Sequence, residues 1–157
     1  MSVFKPFEKD PDKFAVVGKH LLTRYLYLSD EQRNPDTVAQ FLNIAFYKPD
    51  CEAYELGDTD GFISFYGIIP GHKCLMAVKI WNPKLWKPSA VKEAKKIFSD
   101  FIKRTEVKRI TIETADTEMV RLGRIFGFHV EGIKEIDFKW DGELYDRYIL
   151  ALLPKEE

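Results

Sequence analysis

Apolar residues recur along this chain with two periods, about 3.6 in some stretches and 2 in others, and the switches between them lay out its elements. Phe14, Val17, Leu21, Leu22 and Tyr25 keep helical spacing after the start signal Asp10-Pro11, which predicts a helix over residues 10–27. Asn34-Pro35-Asp36 opens a second helix, with Val38, Phe41, Leu42, Ala45 and Phe46 along one side and Pro49 as its stop. The period then drops to two. Residues 52–56 and 62–69 read as strands divided by the turn-rich Gly57-Asp58-Thr59-Asp60-Gly61. Ile69-Pro70-Gly71-His72 suits a type II turn, with residues 73–81 as the third strand of a meander.

The clearest helical pattern covers residues 88–105. Val91, Ala94, Ile97, Phe98, Phe101 and Ile102 share one face, opposite Lys92, Lys95, Lys96, Asp100 and Lys103. Residues 107–112 follow as a strand, with Ile110 and Ile112 to one side and Thr111 and Glu113 to the other. An acid-capped turn at 114–117 leads to a short helix over 118–126. Gly127 stands where a left-handed residue is wanted after a helix. The remainder is a hairpin folded at Asp141-Gly142. Meander, helix, strand, helix and hairpin predict a mixed, mostly antiparallel sheet flanked by helices, of the α+β class and α/β/α-like.

Composition narrows the picture without changing it. A chain of 157 residues fits one domain spanning 1–157, and 45% apolar with 31% charged residues is the mix of a globular protein. The net charge of −1 gives no electrostatic argument for nucleic acid or a membrane surface as partner. Cys51 and Cys74 lie in no metal or redox spacing, and no stretch has the apolar length of a signal core or a membrane span. A cytoplasmic location is the expectation. His20, His72 and His129 have no ligand spacing, so no metal is expected.

The C-terminal third carries a more specific signal. A helix, then Gly127-Phe128-His129-Val130-Glu131-Gly132, a long strand, a turn, the acidic Asp146 and a final apolar strand follow one another. This order resembles the C-terminal half of GNAT-superfamily N-acetyltransferases, in particular the branch that acetylates ribosomal-protein N-termini and small amines. The resemblance implies a GNAT-like fold from about residue 10 onward, acetyl-CoA as cosubstrate, an amine as acceptor, and direct attack of that amine on the thioester. It also implies that the strand 73–81, the fourth of that fold, is splayed from residues 107–113 by a bulge. A V-shaped cleft would then lie between Trp81 and Glu113, with an amide near Trp81 polarising the thioester carbonyl. A homodimer is among the states it implies.

The cosubstrate loop departs from the family pattern. An aromatic or aliphatic residue, a Pro two positions on and a closing Glu-Ala are matched by Trp81, Pro83 and Glu93-Ala94. The Arg-Gly-x-Gly-x-Ala segment between them falls on Trp86-Lys87-Pro88-Ser89-Ala90-Val91. Lys87 and Ser89 stand where the family has the glycines that let backbone approach phosphate. By this register Ile80, Trp81, Asn82, Lys84, Lys87, Ser89 and Ala90 are the cosubstrate-binding positions. Two readings stay open. Lys84 and Lys87 supply charge while amides after Ser89, itself a good N-cap, form an anion site. Alternatively the loop has lost CoA, and the chain is a non-catalytic GNAT-like binding or assembly module.

The catalytic positions are altered too. Counted back from Gly127, the family's helix-opening Asn falls on Asp116, its Tyr acid on Gly123 and its alternative Ser on Met119. Glycine donates no proton, although a thiolate is a fair leaving group and turnover does not require the acid. A Tyr restored at 123 would supply it if the helix has room. The acceptor ammonium must still lose a proton. Glu113 is the first candidate for that base and Asp116 the second. Each has a plainer reading, Glu113 as the polar face of a half-exposed strand and Asp116 as a helix cap. Trp81, Trp86 and Trp140 fit an acceptor cleft or the core. Arg121 and Arg124 fit the adenosine phosphate or a solvated helix face.

Overall fold

The computed structural model describes residues 2–155. Seven strands, β1 (Phe4–Pro6), β2 (Glu52–Leu56), β3 (Gly61–Ile69), β4 (Lys73–Ile80), β5 (Arg109–Thr114), β6 (His129–Trp140) and β7 (Glu143–Leu152), make one sheet. Its order is β1-β2-β3-β4-β5-β7-β6. Neighbours are antiparallel except β4 and β5, the pair joined through a helix, as a parallel crossover requires. Four α-helices cover it: α1 (Pro11–Thr23), α2 (Pro35–Leu42), α3 (Pro88–Thr105) and α4 (Thr117–Ile125).

Alternation decides which residues face which layer. Phe65, Met76, Val78, Ile110, Ile112 and Leu150 point to one side of the sheet and bury against Ala94, Phe98 and Phe101 of α3 and Val120 of α4. Phe62 points to the other side and packs with Phe14, Val17 and Leu21 of α1, Val38 of α2 and Phe46. The helix starts follow their caps: Asp10 accepts from the Asp12 amide and Asn34 from the Thr37 amide, each with proline at the first helical position.

Several boundaries differ from the sequence reading. α1 stops at Thr23, because Leu26 takes a left-handed φ of 61° and turns the chain. Tyr25 is therefore exposed, edge-on to Trp140, and Tyr27 swings under the sheet. α2 runs on as a π-helical turn, Asn43–Tyr47, which is why its apolar period reaches Phe46. β1 was not anticipated. It is three residues long and is held by the Glu93 carboxylate, which accepts from the Val3 and Phe4 amides. Ser89 is not the cap of α3: Pro88 takes the first helical position and leaves Lys87 as cap, without a side-chain bond.

Two features shape the site. β4 pairs with β5 only through Lys73, Cys74 and Leu75, opposite Arg109, Ile110 and Thr111, so the strands part beyond Leu75. The splay is as expected, but the bulge is not on this pairing. The register shift lies between β3 and β4 at Tyr66–Ile69, where Gly67 has φ 59°. The second feature is a clamp. The Asp30 carboxylate, in the α1–α2 connection, accepts from the amides of Asp141 (2.7 Å) and Gly142 (3.0 Å) in the β6–β7 turn.

Candidate active site

Where β4 and β5 diverge, the sheet opens on both faces. On the α1–α2 side lies a cavity of about 350 Å³ lined by Tyr27, Phe41, Lys79, Glu113, Met119 and Arg147, among others. On the α3–α4 side lies one of about 310 Å³, lined by Tyr27, Ile80, Trp86, Asp116, Met119 and Arg121, among others. Tyr27 and Met119 line both, so the two spaces meet at these side chains.

Tyr27 is fixed there by its backbone and its hydroxyl. The Leu26 turn delivers it to the gap, and its hydroxyl donates to the Ile80 carbonyl at 3.3 Å. Burial pushes its phenol up to about 12, so it stays a donor throughout the neutral range. An extended residue directs its N–H and C=O to the same side of the strand, so the Ile80 amide faces the gap with its carbonyl. Lys79, on the opposite side chain face of β4, reaches over the Tyr27 ring with Nζ 4.6 Å from the centroid. Burial pulls its ammonium down to about 8, with Asp116 acting weakly the other way.

The predicted residues are distributed unevenly over this arrangement. Glu113 lines the larger cavity at the end of β5, exposed, with Lys134 at 3.7 Å. Asp116 lines the other cavity, and its Oδ1 accepts from the Glu118 amide at 2.9 Å, so it caps α4. The two carboxylates are thus not brought together. Trp81 lines neither cavity. It stacks on His20 at 4.3 Å, its indole donates to the Thr59 carbonyl, and its amide donates to Asp60. The amides of Trp81 and Asn82 are spent on Asp60, so of the amides near Trp81 that were expected to polarise a carbonyl only that of Ile80, the last residue of β4, fits. Among the described residues the Ile80 amide, one residue earlier, has no acceptor.

The loop after β4 is wound rather than open. Its Pro83–Leu85 turn is 3₁₀, Asn82 accepts from the Lys84 amide, and the amides of Leu85, Trp86 and Lys87 find carbonyls within the loop. Ser89 and Ala90 keep their first-turn amides clear of backbone acceptors among the described residues. The Ala90 methyl is buried in the core, while Lys84 and Lys87 are exposed beside this helix start. Trp86 packs edge-on to Phe4 and against Phe126 and walls the smaller cavity. Gly123 is a crowded place for a restored acid. A Cβ there would lie 3.0 Å from Leu150 Cδ1 and 3.5 Å from Phe128 Cβ, in the core.

Sequence reasoning missed Tyr27 and Lys79. Tyr27 looked like the end of a helix, and nothing in the residue types signals the left-handed Leu26. Lys79 had a signal: beyond Lys73 at the start of β4, it is the charge on the face that also carries Leu75 and Ala77.

Solved structures share this arrangement of elements. A spermidine N-acetyltransferase from Vibrio cholerae, solved with CoA and spermine, superposes with a TM-score of 0.71 at 14% identity, over 96% of this chain and 95% of the other. The fold is the GNAT fold. An acetyl transfer enzyme from Salmonella typhimurium that modifies the N-terminal serine of ribosomal protein L7/L12 gives 0.68 at 13%, over 99% and 97%. A GNAT-family acetyltransferase from Bacillus anthracis gives 0.61 at 16%, over 97% and 95%. No family model and no curated protein matches the sequence.

Proposed function

We propose that this GNAT-fold chain transfers an acetyl group from acetyl-CoA to an amine by direct attack on the thioester. The observation that carries this reading is the pair of cavities meeting at Tyr27 and Met119 through the gap between β4 and β5. One space takes the thioester arm and the other the acceptor, so the nucleophile and the carbonyl meet in line from opposite faces. The CoA bound in the Vibrio cholerae structure of the same fold supports the assignment.

The residues present fit acetyl-CoA in a reduced way. The Ser89 and Ala90 amides at the start of α3 are the anion donors, with Lys84 and Lys87 adding exposed charge, while the wound loop offers no further amides. Ile80 N–H is the donor for charge developing on the thioester oxygen. Glu113 takes the ammonium proton through water, leaving the amine lone pair to form the C–N bond as the C–S bond breaks. The Tyr27 hydroxyl, turning from the Ile80 carbonyl, gives its proton to the departing sulfur, the task for which Gly123 has no group. It is reprotonated through solvent as the acylated nitrogen loses its second proton. Asp116 serves as the cap of α4. Cys51 and Cys74 are free thiols, which suits a reducing, cytoplasmic setting. No helix of the described residues is long and apolar enough to cross a membrane.

The test is acetyl-CoA binding by calorimetry together with thiol release over a panel of amines. Binding and pH-rising turnover are expected, and Tyr27→Phe should lower kcat by about 10²-fold or more with CoA affinity unchanged. Neither binding nor CoA release at any pH would assign the chain to the non-catalytic alternative.

A further inference from the structure

The charges around the larger cavity do not cancel at one residue. Glu113 has Lys134 at 3.7 Å, and Arg147 donates to Asp137 at 2.8 Å. Lys79 has no carboxylate partner among the described residues; its ammonium lies over the Tyr27 ring, and its neighbours along the wall are Leu75, Ala77 and Val78. Asp116, the acid that acts on it, belongs to the other cavity and is occupied by the α4 cap. Most of the remaining lining residues are apolar, with Leu21, Leu28 and Phe41 contributed by the helical layer, and Gln32, Thr111 and Thr114 are the polar ones among them. A half-buried cation facing a cavity whose wall is largely apolar is unfavourable unless an anion completes it. Burial lowers the proton affinity of Lys79 there, against the pull of Asp116.

We infer that the acceptor is a small amine that carries a carboxylate and an apolar body, with Lys79 as the specificity-determining residue that pairs with the carboxylate. One ammonium matches one monoanion, and the apolar wall matches a hydrocarbon or aromatic side chain; an α-amino acid of apolar type has this chemistry. A polyamine is the opposite ligand, since it brings several cations to a cavity whose unpaired charge is already positive. The identity of the ligand as acceptor rests on the acetyl-transfer reading above, whereas its recognition by Lys79 does not.

Recognition is therefore measured first without CoA. N-Acetylphenylalanine, the product-type acid, and N-acetylphenylalanine amide, its neutral counterpart, are titrated into the full chain by calorimetry, with spermidine as the cationic probe. The acid should bind about 10- to 100-fold more tightly than the amide, the range of a hydrogen bond to a charged group. That preference should vanish in Lys79→Met, survive within a few-fold in Lys79→Arg, and weaken with salt. Equal binding of acid and amide by the parent chain overturns the proposal, as does tighter binding of spermidine or an acid preference retained in a folded Lys79→Met. The acid preference combined with failure of acetyl-CoA turnover would uphold the anion site and overturn the enzymatic reading. With turnover established, phenylalanine should show a raised KM and nearly unchanged kcat in Lys79→Met.

Discussion

Lys79 shows how one side chain can be read for both function and stability. Burial holds its folded-state pKa near 8, below the ordinary 10.5, so the folded chain disfavours its charge. Below about pH 8 both the folded and unfolded states carry the proton, and the full penalty for the buried charge applies. Between about 8 and 10.5 the unfolded chain binds more protons, so this contribution to stability rises with pH. Lys79→Met should therefore melt above the parent protein at neutral pH, with the gap closing as pH rises through that window. Thermal melts of both proteins from pH 6 to 10 check the sign. A gain in stability on losing a candidate site residue is the trade expected where function demands an unfavourable group. Glu55 makes the contrasting case. Burial alone would raise its carboxyl, but hydrogen bonds from Lys13 and Lys5 overcome this and lower it, so the buried acid is satisfied and structural.

Elements were legible where local pattern and tertiary packing agree. α3 runs over the predicted residues because proline fixes its start and its apolar stripe meets the sheet without interruption. Phe101 is fully buried and stacks on Phe65 at 4.0 Å, so Phe101→Ala should cost about 3–5 kcal/mol, read as a lower denaturation midpoint at unchanged m-value. Where long-range contacts decide, the pattern fails. Tyr25 keeps helical spacing with Leu21 and Leu22, yet α1 has ended before it, because the buried Leu26 and the pull of Tyr27 toward Ile80 outweigh local propensity. Glu113 could be placed from strand alternation alone. Tyr27 could not, since its position depends on a positive φ that leucine rarely adopts. The sequence likewise located position 123 of α4 without revealing its crowding. Gly123→Tyr should lower the melting temperature and leave kcat unimproved, because the ring enters the Leu150–Phe128 contact rather than the cleft. Melting and steady-state rates on that variant decide it.

At the scale of the molecule, the larger cavity is assembled from segments far apart in the sequence. The α1–α2 connection gives Tyr27 and Leu28, and β7 gives Arg147. Asp30 ties these parts together across a sequence separation of 111 residues through the Asp141 and Gly142 amides. Those amides, with Arg33, hold the Asp30 carboxyl below its usual value. The clamp is therefore complete above about pH 4, the ordinary carboxylate range, and loosens as pH falls through the lowered folded value. Asp30→Ala should raise hydrogen exchange at residues 26–33 and 139–145 while α3 stays protected, and mass spectrometry of peptides from the two regions would show it. During synthesis the sheet through β5 and its helices can gather as soon as they emerge. The wall of the cleft must wait for the β6–β7 hairpin to arrive and latch, so the cavity closes only after the rest of the sheet has formed.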